Sequence, residues 1–201
     1  MAHCLYQGTF NPIHNAHIAA AKYVHEKLNF EKIVFIPAFK PPHKNLKDFD
    51  FKNAIHRLNM LELALKDYSY FDISVIEYMR NKPSYTYDTI VKIYDIIKPH
   101  DKISFIIGTD AFIKIESWYK SGELKNLLNF ILFIREDDFD ETPYLQLKNK
   151  GYNYTLMQMP YMNISASEIR ERIKHNKDIC DILPLSVAEY IKQNNVYKIQ
   201  H

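Results

Sequence analysis

At 201 residues, 47% of them apolar and 25% charged, the chain has the make-up of a soluble globular protein with enough length to bury a sizeable core. Its 26 basic and 24 acidic residues leave a net charge of +2, which gives no basis for charge-driven binding to nucleic acid or to a membrane surface. Any anion site must therefore be a local arrangement of charge. Cys4 and Cys180 match neither a metal-ligand spacing nor a CxxC pattern. The N-terminus lacks the basic stretch and apolar run of a signal peptide, and no window approaches ~18 consecutive apolar residues. The expectation is a reduced, cytoplasmic protein.

Residues 3–6 read as a short strand that ends at Gly8. Residues 16–28 place Ala16, Ala19, Ala20, Tyr23 and Val24 at helical spacing. Residues 32–38 (KIVFIPA) form a second strand, whose continuous apolar run suits a parallel strand covered on both faces. A helix over 53–65, a strand over 71–75 and a helix over 84–97 follow. Residues 102–107 (KISFII) make a strong strand that runs into Gly108, with further strands at 130–134 and 154–159 and helices at 165–174 and 185–193. Strands alternating with helices imply parallel pairing through crossover helices. The predicted fold is a single Rossmann-like, doubly wound α/β domain over 1–201, its mostly parallel sheet followed by a helical C-terminal part from about residue 165. Ligands of such folds bind beyond the carboxyl ends of strands. Gly8 to His17 and Gly108 to Asp110 occupy that position.

Three patches carry chemistry. In GTFNPIHNAH, residues 8–17, His14 and His17 are three apart at a helix start, where free N–H groups and the helix dipole favour an anion. By themselves the pair fits a turn with incidental histidines, a metal pair lacking a third ligand, or two phosphate donors. Neither GxGxxG nor a Walker A pattern is present, so a nucleotide site must be of another type. In AFKPPHK, residues 38–44, two prolines stiffen a loop carrying Lys40, His43 and Lys44. In ISASEIR, residues 164–170, Ser165 and Glu168 form a capping box, with Ser167 and Arg170 in the first turns beside free N–H groups. PSYTYDT, residues 83–89, opens another helix whose amides can hold a carboxylate. Trp118, the one tryptophan, can stack on a flat heterocycle.

Together these patches resemble the nucleotidyltransferase superfamily with a GTFxPxHxGH opening motif and an SxTxxR-like closing motif. More narrowly, the order GTFNPIHNAH, PPHK, PSYT, IIGTD with WY, ISASEIR and LPLSVAEYIKQNNVY is similar to the bacterial nicotinate-nucleotide adenylyltransferases over almost the full length. The resemblance implies transfer of the adenylyl group of ATP, with its Mg²⁺, to nicotinate mononucleotide in NAD biosynthesis, releasing pyrophosphate and leaving no covalent enzyme intermediate. It implies a backbone cradle at Gly8, Thr9 and Phe10 between the two nucleotides. His14 and His17 would face the ATP phosphates, Lys44 would close over them, and Ser167 and Arg170 would hold them from the opposite side. Gly108 and Asp110 would line the adenosine pocket. Thr86, Trp118 and Tyr119 would hold the nicotinate ring and its carboxylate, with Arg135 in the same cleft. No tight protein metal site is implied, and the oligomeric state is left open, a homo-oligomer included. Gln7, Asn11, Ala16 and Ser167 depart from the family pattern, Gln7 most because backbone approaches ligand there. A preference for nicotinamide mononucleotide and a non-catalytic nucleotide sensor are the alternatives.

Overall fold

The computed structural model describes residues 3–42, 51–80, 82–134, 139–159 and 162–198, with Phe51 described for its backbone alone. Six parallel strands form one sheet: β1 (His3–Gly8), β2 (Lys32–Pro37), β3 (Phe71–Ile73), β4 (Ile103–Gly108), β5 (Leu128–Ile134) and β6 (Tyr154–Gln158). Their order across the sheet is β3-β2-β1-β4-β5-β6. The chain therefore winds outward from β1 in one direction, then returns to start again at β4. That reversal opens a crevice beyond the ends of β1 and β4, where doubly wound folds bind ligands.

Alternation along the strands explains the two-sided core. In β4 and β5, Ile103, Phe105, Ile107, Leu128, Phe130 and Leu132 face one layer, while Ile106, Ile131 and Phe133 face the other. The first layer is covered by α3 (Thr86–Ile97), α5 (Ser121–Leu127) and α6 (Thr142–Asn149). The second is covered by α1 (Asn15–Leu28), α2 (Phe51–Leu65), α7 (Ala166–Lys174) and α8 (Leu185–Gln193). The C-terminal helices thus complete the cover over α1 and α2. Burial pushes the Cys4 thiol on β1 above its ordinary range, which fits an inert core residue.

The expected strands all form, within two residues of their sequence-derived limits. The sequence reading passed over α5, α6 and the one-turn helix α4 (Thr109–Phe112). None exceeds eight residues, too short for a 3.6-residue period to declare itself. Pro143 in the first turn of α6 was the available start signal. Among the described residues, no helix is long and apolar enough to cross a membrane.

Candidate active site

Register brings the two strand-end glycines level. Tyr6 on β1 pairs with Ile106 on β4, and Gly8 and Gly108 each lie two residues further on. From Gly8 the chain turns through Phe10, which adopts a left-handed φ of 46° and buries its ring, leaving only 2% exposed. The ring lies back over Gly8, where an added Cβ would stand 2.8 Å from Phe10 Cζ. A side chain at position 8 would therefore have to displace the Phe10 ring.

The turn delivers His14 to the N-cap of α1 and His17 to its third residue. Their rings lie 3.6 Å apart between centroids, tilted by 31°. The backbone N–H of His14 donates to His17 Nδ1 at 3.3 Å. In the neutral His17 ring the proton then sits on Nε2, which makes that atom a donor. This is the protonation pattern a phosphate oxygen needs.

Arg170, on α7, reaches the same turn. Its Nη1 donates to the Asn11 carbonyl at 2.8 Å and its Nη2 to Ser167 Oγ at 3.1 Å. Ser165 caps α7, accepting from the Glu168 N–H at 3.1 Å, which is half of the expected capping box; the Glu168 carboxylate pairs instead with Arg172 Nη2 at 2.8 Å. From the C-terminal end, Tyr197 donates its O–H to Asn11 Oδ1 at 2.6 Å. Asn11 therefore joins α7 and the C-terminal segment to the turn.

Two clefts flank the end of β1. One is lined by Tyr6, His14, Ala16, His17, Gly108 and Ile164 among others. The other is lined by Gln7, Gly8, Thr9, Thr86, Trp118 and Tyr119 among others. Thr86 is the first residue of α3, so that helix directs free N–H groups toward the second cleft. Trp118 is half-buried against the core, and Tyr119 lies against Tyr85 with ring centroids 4.8 Å apart. Asp110 is exposed on α4, two residues past Gly108. Lys44 and Arg135 lie outside the described residues, as does His43.

Sequence reasoning missed the residues that hold the clefts in shape. Arg57, fully buried on α2, donates to the carbonyls of Thr9 at 2.8 Å, Ala38 at 2.6 Å and Phe39 at 3.1 Å. Burial pulls its guanidinium below the ordinary arginine range, while Tyr78, Tyr197 and Glu77 push it back up. The signal was available: Arg57 shares a helical stripe with Ala54, Leu61 and Ala64, so a cation stands on the core-facing side. Glu77 and Tyr197 lie in irregular segments, where periodicity gives no such sign.

A doubly wound parallel sheet, with two histidines and an arginine gathered at the end of its first strand, defines an α/β protein of the Rossmann-like class. The model of the cytidylyltransferase-like family matches residues 5–172, and the chain belongs to that family. It is 35% identical over 197 residues to the nicotinate-nucleotide adenylyltransferase of Bacillus subtilis, an alignment covering 96% of this chain and 97% of that protein. Its fold is similar to Plasmodium falciparum nicotinic acid mononucleotide adenylyltransferase complexed with NaAD, with a TM-score of 0.80 at 24% identity over 98% of this chain and 97% of that one. The P. falciparum protein complexed with APC gives a TM-score of 0.77 at 23% identity, over 98% and 96%.

Proposed function

We propose that the chain is a nicotinate-nucleotide adenylyltransferase, joining ATP and nicotinate mononucleotide into nicotinate adenine dinucleotide and pyrophosphate. The observation that carries this reading is the pair of clefts on either side of the end of β1, one lined by Tyr6, His14 and His17 and the other by Gln7, Gly8, Thr9, Thr86, Trp118 and Tyr119. A reaction that joins two nucleotides needs two neighbouring subsites with the phosphates meeting between them. The identity to the Bacillus subtilis enzyme over nearly the whole chain supports the choice of substrates.

The mononucleotide phosphate is already an anionic nucleophile, so the reaction requires no general base. It attacks the ATP α-phosphorus in line, a P–O bond forms, and the bond to the leaving pyrophosphate breaks. Catalysis then rests on positioning and on donors for the charge that grows on the phosphoryl oxygens. His14, His17 and Arg170 are those donors, with Ser167 beside Arg170 and Lys44 from the PPHK loop. Gly108 and Asp110 serve the adenosine side. Thr86 and Tyr119 present backbone N–H groups to the nicotinate carboxylate, Trp118 stacks on the ring, and Arg135 is assigned to the same cleft.

The first cleft is lined by the imidazoles of His14 and His17, with the Arg170 guanidinium held at the neighbouring turn, and no metal-binding group of three or more His, Cys, Asp or Glu occurs among the described residues. That donor set fits a Mg²⁺ that arrives on the ATP phosphates and keeps water ligands. Such an ion neutralises part of the triphosphate charge.

Pyrophosphate release measured with ATP, Mg²⁺ and each mononucleotide in turn tests the reading. Release with nicotinate mononucleotide well above that with the amide is expected. Preference for the amide overturns the substrate assignment, and nucleotide binding without release from either overturns the enzyme assignment. Replacing His17 by Ala is expected to lower kcat by about 10²-fold or more, the scale of losing one charge-stabilising donor, with little change in mononucleotide affinity. An unchanged kcat would remove His17 from the mechanism.

A further inference from the structure

Beside the second cleft lies a buried carboxylate that the proposed chemistry does not use. Glu77, in the turn between β3 and α3, is only 1% exposed. Its Oε1 accepts from Gln7 Nε2 at 2.5 Å and from Thr89 Oγ1 at 2.6 Å, and its Oε2 accepts from the Phe39 N–H at 3.3 Å. Arg80 Nη2 stands 3.8 Å from Glu77 Oε1 and donates to Thr89 Oγ1 at 2.5 Å. Gln7 belongs to β1, Phe39 follows β2, and Thr89 belongs to α3.

Those same three segments wall the second cleft. Gln7 and Gly8 come from β1, Ala38 and Pro41 from the stretch after β2, and Thr86 from the first turn of α3. Of the hub residues Gln7 lines the second cleft and not the His14–His17 cleft, while Thr89, Phe39 and Arg80 line neither. The hub is therefore one-sided with respect to the two subsites.

The chemistry explains why a carboxylate stands at the hub. Two oxygens with four lone pairs can receive three donors at once, whereas an amide offers one oxygen and turns an N–H₂ toward a remaining donor. A buried carboxylate must be fully compensated to be tolerated at all. Compensation matters more beside a pocket that takes an anion, because an unpaired carboxylate would repel the ligand. The Gln7 amide supplies that compensation from the strand side. A glycine at position 7 would remove that donor and leave Glu77 to the Thr89 hydroxyl, the Phe39 N–H and Arg80.

We infer that Glu77, with Gln7 as its partner, is the positioning residue of the mononucleotide subsite. It holds three pocket walls in register and touches none of the reacting atoms. The inference rests on the adenylyltransferase reading for the identity of the ligand.

The test uses E77Q and Q7A with two readouts: steady-state kinetics with each substrate varied, and mononucleotide titration followed by fluorescence of Trp118, which lines the same cleft. Both variants are expected to raise KM and Kd for nicotinate mononucleotide by about tenfold, the scale of a lost hydrogen bond to a charged group. KM for ATP is expected to stay within about twofold, since that side shares no partner with the hub. Thermal unfolding is measured alongside, because a merely structural defect would weaken both substrates together. Should E77Q fail to fold, Q7A alters only a partly exposed side chain and carries the test. Both affinities falling together, or neither changing, overturns the inference. A wild-type protein that binds the mononucleotide without releasing pyrophosphate overturns the functional reading alone, because the titration still reports on the hub.

Discussion

At the scale of single residues, Gly8 and Asn11 carry the most structural meaning. The Phe10 ring that covers Gly8 is itself hemmed in, with centroids 5.5 Å from Tyr6, 5.2 Å from His17 and 5.6 Å from Phe35. It has little room to yield to a methyl group. Gly8→Ala is expected to destabilise the fold by about 1–3 kcal/mol through overpacking, read from the urea midpoint, and Phe10→Leu on top of it should restore part of the loss. Asn11 shows a different dependence. Its side chain takes the Tyr197 hydroxyl and its carbonyl takes Arg170, so Tyr197→Phe is expected to loosen Arg170 without removing it. A drop of about tenfold in kcat/KM for ATP is expected, equivalent to about 1.4 kcal/mol of transition-state stabilisation. An unchanged kcat/KM would confine Tyr197 to the fold. Both features were partly legible. GTFNP announces a turn with a glycine at its root, but only coordinates reveal that Phe10 and Tyr197 are what the turn packs against.

Between elements, the important link is α2 to the ends of β1 and β2. Strand ends leave carbonyls that the next loop must satisfy, and here one guanidinium satisfies those of Thr9, Ala38 and Phe39. Arg57→Met keeps much of the buried volume and removes all three donors. It is expected to cost about 3–5 kcal/mol, as breaking a buried polar assembly does, and the variant should unfold at visibly lower urea concentration. A loss below about 1 kcal/mol would mean that the carbonyls find other partners. Long periodic elements such as α1, α3 and β4 were readable because burial on one face imposes a spacing on sequence. The cap of α7 was readable because the Ser165 hydroxyl solves a local hydrogen-bonding problem at the helix start. Arg57 was hidden by its type, since an arginine on a helix is ordinarily taken for a solvent-facing residue.

Across the whole molecule, burial leaves a mark on pH dependence. The phenols of Tyr70, Tyr78, Tyr94, Tyr154 and Tyr197 are all pushed up, in each case chiefly by burial. Tyr154, also beside Glu141, rises to about 12 from an ordinary 10.0. In the unfolded chain these groups release protons from about pH 10, while the folded chain retains them. Below that pH both states are protonated and the tyrosines leave stability unaffected. As pH climbs from about 10 toward 12 the folded state binds more protons than the unfolded one, so stability falls. Urea unfolding followed from pH 8 to 11.5 should begin to decline near pH 9, where the Cys4 thiol ionises only in the unfolded chain, and fall more steeply above pH 10 as the tyrosines join it. A flat profile to the top of the range would contradict this.

The amino-acid sequence by itself determined the order of strands and helices, the parallel winding, and the chemical types gathered near strand ends. Those properties follow from local periodicity, turn chemistry and caps, which act over a few neighbouring residues. Only the tertiary structure decided that Gln7 meets Glu77 across 70 positions of sequence, and that Tyr197 meets Asn11 across 186. Hydrogen bonds of that kind depend on how separate segments converge after the core has packed, and they leave no spacing for a sequence to display.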